Sequence, residues 1–140
     1  MKLVVDASVA VKWVLRDRPS ELDADRASAL LGAIARRSVI AVEPVHWVSE
    51  TIGVITRLKP DRAPATIALL THARFTTVSS RALYRRAADL SIALKHRLFD
   101  TLYHHAVALE EQATLITADE AYFGKAKDLG AIRLLRDFST

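Results

Sequence analysis

The chain has 140 residues, no cysteine, and a formal net charge of +4 from 20 basic and 16 acidic side chains. This length suits one domain, residues 1–140, with a core that needs no disulfide, and the lack of cysteine excludes thiolate metal sites. No apolar run approaches the roughly 18 residues of a membrane helix, and Asp6 interrupts the first apolar segment too early for a signal peptide. We therefore expect a cytoplasmic protein with no membrane partner.

The first predicted unit is a buried strand, a tight turn and the start of a helix. Leu3, Val4 and Val5 form a short apolar run, Asp6 closes it, and an apolar pattern resumes at Val9. Asp6 therefore stands at the carboxyl end of a strand, where ligands bind in open α/β sheets. Because burying an unpaired carboxylate is costly, Asp6 is either a cap of the first helix or part of a functional site.

Strands and helices alternate along the rest of the chain. Ser20, Asp61 and either Ser79 or Ser80 are the expected caps of the helices that follow them. A helical stripe extends to about Arg37, and the later elements are assigned from apolar periodicity. The predicted strands are 38–42, 75–78, 113–117 and 131–135, and the later predicted helices are 45–58, 62–73, 80–96, 99–112 and 120–128.

This alternation predicts a parallel sheet covered by helices on both faces, with the run 75–78 as an edge strand. Asp119 follows the predicted strand at 113–117 in the same way that Asp6 follows the first strand. If both strands are central and parallel, the two carboxylates reach the same edge of the sheet.

Two further acids, Glu50 and Asp100, lie near helix starts that belong to the same edge. Carboxylates cluster productively only when a cation neutralises them, and Mg²⁺ and Mn²⁺ prefer oxygen ligands. Such a site suits metal-assisted hydrolysis of a phosphodiester. Each acid alone could instead be a helix cap, a turn residue or a solvated residue. Explaining all four acids in this way would require four separate coincidences in one fold. The hydroxyls of Ser8 and Thr117 could hold a water at the metal, although capping and strand propensity also explain them.

Four segments carry a resemblance to a known family. They are Val-Val-Asp-Ala-Ser-Val-Ala-Val-Lys-Trp, the helix with Glu50 after Glu-Pro, Phe-Asp-Thr-Leu-Tyr103 and Leu-Ile-Thr-Ala-Asp119. In this order the chain resembles the PIN-domain ribonucleases, and more closely the VapC-type toxins of bacterial and archaeal toxin–antitoxin pairs. The resemblance implies an α/β, PIN-like three-layer sandwich with a central, mostly parallel sheet flanked by helices.

The resemblance also implies that Asp6, Glu50, Asp100 and Asp119 match the family's acidic quartet around Mg²⁺ or Mn²⁺. It implies an RNA substrate that is cut endonucleolytically, a small antitoxin protein that blocks the pocket, and a homodimer with two pockets beside a shared groove. Many relatives carry Asn three residues after the helix glutamate. Here that position is Gly53, so the support that the Asn gives is absent.

Other side chains have weaker claims on function. His46, His104 and His105 could be imidazole ligands or a general base, but their spacing favours structural roles. Trp13 and Trp47 could stack on bases, yet aromatic residues on apolar helix faces are more often core. A basic surface around an acidic pocket fits a polyanionic substrate. The best candidates for phosphate contact are Arg81, Arg85, Arg86, Lys95 and Arg97. A solvated helix face explains this basic cluster equally well.

Three hypotheses follow from the sequence. The first is a metal-dependent endoribonuclease toxin, and the second is a catalytically inactive PIN-like module that binds RNA or protein. The intact quartet favours the first, since a lapsed site is free to lose an acid. The third is another α/β enzyme. An aspartyl phosphatase typically has a second Asp two residues after the first, where Ser8 stands, and neither clustered dinucleotide-binding glycines nor a P-loop is present.

Overall fold

The structure is a computed structural model that describes residues 1–73 and 75–139. Within these residues, five strands form one parallel sheet in the order β3-β2-β1-β4-β5. The central strand, β1, is paired on its two sides with β2 and β4, and the predicted edge position of 75–78 is confirmed. The bounds are β1 Lys2–Val5, β2 Ile40–Pro44, β3 Thr76–Val78, β4 Thr114–Thr117 and β5 Ile132–Leu134.

Helices cover both faces of this sheet, which confirms the predicted three-layer α/β sandwich. In the part of the chain that the structure describes, no helix has the length and apolar character needed to cross a membrane. The α-helices are α1 Ala7–Leu15, α2 Ala24–Ala35, α3 Trp47–Leu58, α4 Ala63–His72, α5 Arg81–Leu94, α6 Thr101–Glu110 and α7 Glu120–Ala126.

The alternation of side chains along β1 divides the core between the two faces. Leu3 and Val5 pack into one cluster with apolar residues of α1 to α4, whereas Val4 packs into a second cluster with α5, α6 and α7. Successive strand residues point to opposite faces of the sheet, so β1 contributes side chains to both clusters. Trp13 and Trp47 are buried in the first cluster, which confirms their assignment to the core.

Two of the predicted helix caps are wrong. Helix α2 begins at Ala24, after a left-handed Asp23 (φ 59°) turns the chain into the helix, so Ser20 lies in the preceding turns. Asp61 lies in a short 3₁₀ turn that Pro60 begins, and α4 starts only after it. Ser80, in contrast, caps α5 as expected, because its Oγ accepts a hydrogen bond from the Leu83 N–H at 3.0 Å.

The topology brings several chain segments to the carboxyl edge of the sheet. Val5 of β1 lies opposite Ile116 of β4 in parallel register, so the residues after both strands leave the sheet on the same side. Helix α3 follows β2 and begins at this edge. Helix α6 packs against β1, β2 and β4, and Thr101 in its first turn lies 3.3 Å from Asp6, so α6 begins at the same edge.

Candidate active site

Asp6 is 2% exposed, and hydroxyl groups hold its carboxylate. Its Oδ2 accepts hydrogen bonds from Ser8 Oγ at 2.6 Å and Thr117 Oγ1 at 2.8 Å, and lies 3.3 Å from Thr101 Oγ1. Ser8 and Thr117 therefore contact the acid itself. Asp6 occupies the N-cap position of α1, but within the described residues its side chain makes no capping hydrogen bond. The alternative of a simple helix cap is wrong for Asp6.

Thr101 connects Asp6 to Asp119. Its Oγ1 lies 3.3 Å from Asp6 Oδ2 and 3.4 Å from Asp119 Oδ2, and a hydroxyl can donate its one proton to only one of them at a time. Asp119 also caps α7, since its Oδ1 accepts from the Tyr122 N–H at 2.9 Å. Asp119 therefore combines a capping role with a place in the pocket. Thr101 was not predicted, although it directly follows Asp100.

Asp100 stands at the N-cap position of α6 and faces two basic side chains. Its Oδ2 lies 3.2 Å from His96 Nε2 and 3.5 Å from Arg97 Nη2. Arg97 is the member of the predicted basic cluster that contacts the acids. Arg86 instead pairs with Glu110 at 2.7 Å, and the remaining three residues of the cluster are exposed.

His104 is fully buried among acids. Its Nε2 lies 2.8 Å from Glu50 Oε2 and 3.8 Å from Asp6 Oδ1, and its Nδ1 lies 3.9 Å from Glu43 Oε2. His104 was expected to be structural, and the structure places it in direct contact with Glu50 of the predicted quartet. For its neighbour His105 the structural role is confirmed, because its ring nitrogens lie 2.8 Å from the Gly130 carbonyl oxygen and 3.0 Å from the Tyr122 hydroxyl.

Glu43 is a fifth acid at this edge, and the sequence-based prediction missed it. Its side chain is fully buried, and its Oε1 accepts a hydrogen bond from the Val5 N–H at 2.7 Å. Its Oε2 has no hydrogen-bond partner among the described residues. A usable signal was present, since Glu43 lies at the carboxyl end of β2, one residue before its last residue, and Asp6 directly follows β1. The following Pro44 made the position resemble a simple strand break.

Burial and neighbouring charges shift the pKa values of this cluster. Burial raises the pKa of Asp6, and the Glu50 charge adds to this rise, although His104 and the hydroxyl hydrogen bonds oppose it. Burial raises the pKa of Glu43 further, against the Val5 hydrogen bond. For His104, burial lowers the pKa, but the hydrogen bond to Glu50 and the nearby negative charges outweigh it and leave the pKa raised. The acids around His104 therefore favour the protonated form of its imidazole.

The metal-free protein is expected to lose stability from this cluster as pH rises. Asp6, Glu43 and His104 each have a raised pKa in the folded state. The stability that each contributes is therefore fully present below its unfolded pKa, which is 3.8 for Asp6 and 6.5 for His104. That contribution disappears as pH rises through the folded values, because the native state binds more protons than the unfolded chain. Urea unfolding across this pH range, with chelator present, measures the effect.

Glu43→Gln isolates one part of this pH dependence. Glutamine keeps an acceptor for the Val5 N–H and cannot ionise, so the stability of the variant relative to wild type should rise with pH. Glu110→Gln, at the exposed pair with Arg86, is the matched control and should change stability by only ~0–1 kcal/mol. If the difference in the free energy of unfolding between Glu43→Gln and wild type does not change with pH, Glu43 does not contribute to the pH dependence of stability.

The PIN domain family matches residues 3–129 of the chain. This match spans most of the sequence, so the chain belongs to the PIN-domain family, and members of that family are typically nucleases. Comparison with curated proteins gave no significant match.

Solved structures give the same fold. VapBC2 from Rickettsia felis, bound to a DNA fragment from their promoter, aligns with a TM-score of 0.67 and 15% identity over 96% of this chain and 97% of the other. VapBC-1 from nontypeable Haemophilus influenzae aligns with a TM-score of 0.64 and 17% identity over 98% of this chain and 100% of the other. PAE2754 from Pyrobaculum aerophilum aligns with a TM-score of 0.58 and 14% identity over 97% of this chain and 93% of the other. The predicted resemblance to VapC-type PIN domains is confirmed at the level of the fold.

Proposed function

We propose that this PIN-domain chain is a metal-dependent endoribonuclease and the toxin of a type II toxin–antitoxin pair. One observation carries the proposal. A carboxylate that is almost completely buried, Asp6, shares a hydroxyl contact with Asp119 at the carboxyl edge of a PIN-type sheet. Burying a carboxylate is costly for a fold, whereas cation-assisted hydrolysis of a phosphodiester uses carboxylates that hold the cation.

The donor groups fit a hard divalent cation. The pocket offers carboxylate and hydroxyl oxygens, which Mg²⁺ and Mn²⁺ prefer, and the negative charges around it raise the pKa of the His104 imidazole. Asp6, Glu50, Asp100 and Asp119 would hold the ion. Mg²⁺ or Mn²⁺ bound there would lower the pKa of the attacking water and neutralise charge on the scissile phosphate.

The side chains of the pocket have separate tasks in the proposed hydrolysis. The water gives up one proton as its oxygen forms a bond to phosphorus, the bond from phosphorus to the leaving sugar oxygen breaks, and that leaving oxygen takes up a proton. Glu50 has a side chain that is 24% exposed and also hydrogen-bonded to His104, so it can orient the water from the solvent side. Thr101 and Thr117 fix the carboxylate of Asp6. Arg97, beside Asp100, offers an exposed guanidinium to an RNA phosphate.

The remaining parts of the proposal rest on resemblance. The likeness of the fold to VapBC proteins supports a cognate antitoxin as partner. We further propose a homodimer, an RNA substrate, a cytoplasmic location and a single domain over residues 1–140. The family match over 3–129 and the one continuous sheet support the last of these.

The test is cleavage of RNA by the purified chain with Mg²⁺ or Mn²⁺. We expect internal cuts that chelator prevents and that Asp119→Asn slows by about 10²–10³-fold, the scale of losing one electrostatic contact to a transition state. Asparagine is as good a helix cap as aspartate, so this variant keeps the start of α7 and removes only the charge.

Asp128→Asn, prepared identically, is the control, because this exposed acid lies outside the pocket. It should cleave like wild type, and the comparison also detects a contaminating nuclease. The proposal is wrong if wild type and Asp119→Asn cleave equally, or if neither metal supports cleavage. RNA binding without any cleavage would instead support the inactive-module hypothesis.

A further inference from the structure

Two imidazoles and one carboxylate converge beside the acidic pocket. His46 and Glu50 lie one turn apart at the start of α3, and His104 reaches them from α6. His46 Nε2 lies 4.0 Å from Glu50 Oε2, and His104 Nε2 lies 2.8 Å from the same oxygen. One ligand atom from each of the three residues lies within 4.8 Å of the others. Ligand atoms around an ion at ordinary zinc distances are separated by about 3–4 Å, so little movement is needed.

The rings of this cluster are held in place by their surroundings. The His46 ring lies 4.5 Å from the Phe99 ring and 4.8 Å from the Tyr103 ring, measured between centroids. His104 is fully buried, and its Nδ1 has no hydrogen-bond partner among the described residues. The ring positions are therefore largely set before any ligand arrives.

Glu43 stands behind His104 on the side away from Glu50. Its partnerless Oε2 faces the partnerless Nδ1 of His104 at 3.9 Å. Histidines that bind metals almost always donate their other N–H to a carboxylate or carbonyl, which fixes the tautomer and increases the basicity of the ligating nitrogen. A small approach of Glu43 would complete this arrangement and leave His104 Nε2 as the ligand atom. A supporting role for Glu43 thus accounts for both unsatisfied buried atoms, Glu43 Oε2 and His104 Nδ1.

We propose that His46, Glu50 and His104 bind a divalent transition-metal ion of the Zn²⁺ or Co²⁺ type, with Glu43 as the positioning residue behind His104. Imidazole nitrogens suit such ions, whereas Mg²⁺ prefers oxygen ligands and keeps much of its water. The side chains of His46 and Glu50 are 20% and 24% exposed, which leaves the site a path to solvent. Three protein ligands leave a coordination position free for water or another ligand.

This site differs in chemistry from the four-acid pocket, although the two share Glu50. Asp6 Oδ1 lies 3.8 Å from His104 Nε2, so an ion on the imidazoles would lie beside the acidic pocket. The inference does not depend on nuclease activity, because it concerns binding of an ion by the free protein. Its test can therefore fail or succeed independently of RNA cleavage.

Co²⁺ is the probe, because its visible spectrum reports imidazole ligation. Titrating the full chain with Co²⁺ should show one site that excess Mg²⁺ does not displace and that Zn²⁺ does. His46→Ala should weaken Co²⁺ binding at least about tenfold, and Glu43→Gln about 10–100-fold, the range for losing a supporting carboxylate. In NMR spectra, Zn²⁺ should shift the ring nitrogens of His46 and His104 and leave those of His72 unchanged.

His72→Ala and Asp119→Asn are the controls. His72 is an exposed histidine on α4, remote in sequence from the cluster, and its loss should leave Co²⁺ affinity unchanged. Asp119→Asn tests whether Co²⁺ occupies the acids instead. The proposal is overturned if wild type does not bind Co²⁺, or if Asp119→Asn weakens binding while His46→Ala does not. Partly exposed His46 is the primary variant, since a fully buried His104 substitution can also affect folding.

Discussion

Asp6→Asn is expected to slow RNA cleavage strongly and, at the same time, to stabilise the metal-free protein. The activity should fall by about 10²–10³-fold or more, because the pocket loses a charge that acts on the reacting centre. Stability should rise by ~0.5–2 kcal/mol, a common scale for single substitutions. Burial raises the pKa of this carboxyl, so a neutral isostere suits the site better than the charged form does. Asparagine still offers an oxygen to Ser8 and Thr117.

The two effects are measured on the same preparations. Cleavage is followed with Mg²⁺ or Mn²⁺, and the free energy of unfolding is taken from urea titrations with chelator. Asp128→Asn serves as the exposed control in both assays and should change neither. A clear drop in metal-free stability for Asp6→Asn would favour a structural role for the acid over a place in an active site.

His104→Leu should destabilise the metal-free protein by ~3–5 kcal/mol near neutral pH, the usual cost of breaking a buried ion pair by removing one partner. The imidazole lies between Asp6 and Glu50, whose charges raise its pKa, and leucine fills similar space without a group that can carry positive charge. Added Mg²⁺ should recover much of this loss, because an ion that binds the native state stabilises it and can replace the missing charge.

His105→Leu is the matched control, one residue along the same helix. His105 is also buried, but it bonds to a carbonyl and a hydroxyl, so its loss should cost only ~1–3 kcal/mol. That cost should be the same with and without Mg²⁺. Denaturant midpoints for both variants, each with Mg²⁺ and with chelator, separate the two cases. Equal losses with equal metal dependence would contradict a charge-balancing role for His104.

The acids at strand ends were predictable, whereas their buried partners were not. Asp6 and Asp119 follow short apolar runs, and strand order in a parallel sheet then places them together. His104 carries no comparable signal. Residues 101–108 are all buried, so α6 has no polar face against which an unusual histidine would stand out. Its pairing with Glu50 joins side chains more than fifty positions apart, which local patterns cannot report.

Helix starts show the same division between local and tertiary causes. Ser80 caps α5 through a bond three residues away, and sequence spacing is sufficient to find it. Asp23, in contrast, turns the chain into α2 through a left-handed backbone, and the α2 start lies four residues beyond the predicted cap. The loop before α2 is connected to other elements by the ion pairs Lys12–Glu21 and Asp17–Arg62, the second of which joins residues far apart in the sequence.

The burial of all of the first eight residues of α6 also has a mechanical consequence. Thr101 and His104 are part of the interior of the protein, and the backbone that carries them packs against three strands. Such a site is preorganised, because its geometry is fixed by folding and little rearrangement is left for the arrival of a ligand. The same rigidity makes local repositioning difficult, so substitutions that retune these groups must also be acceptable to the core.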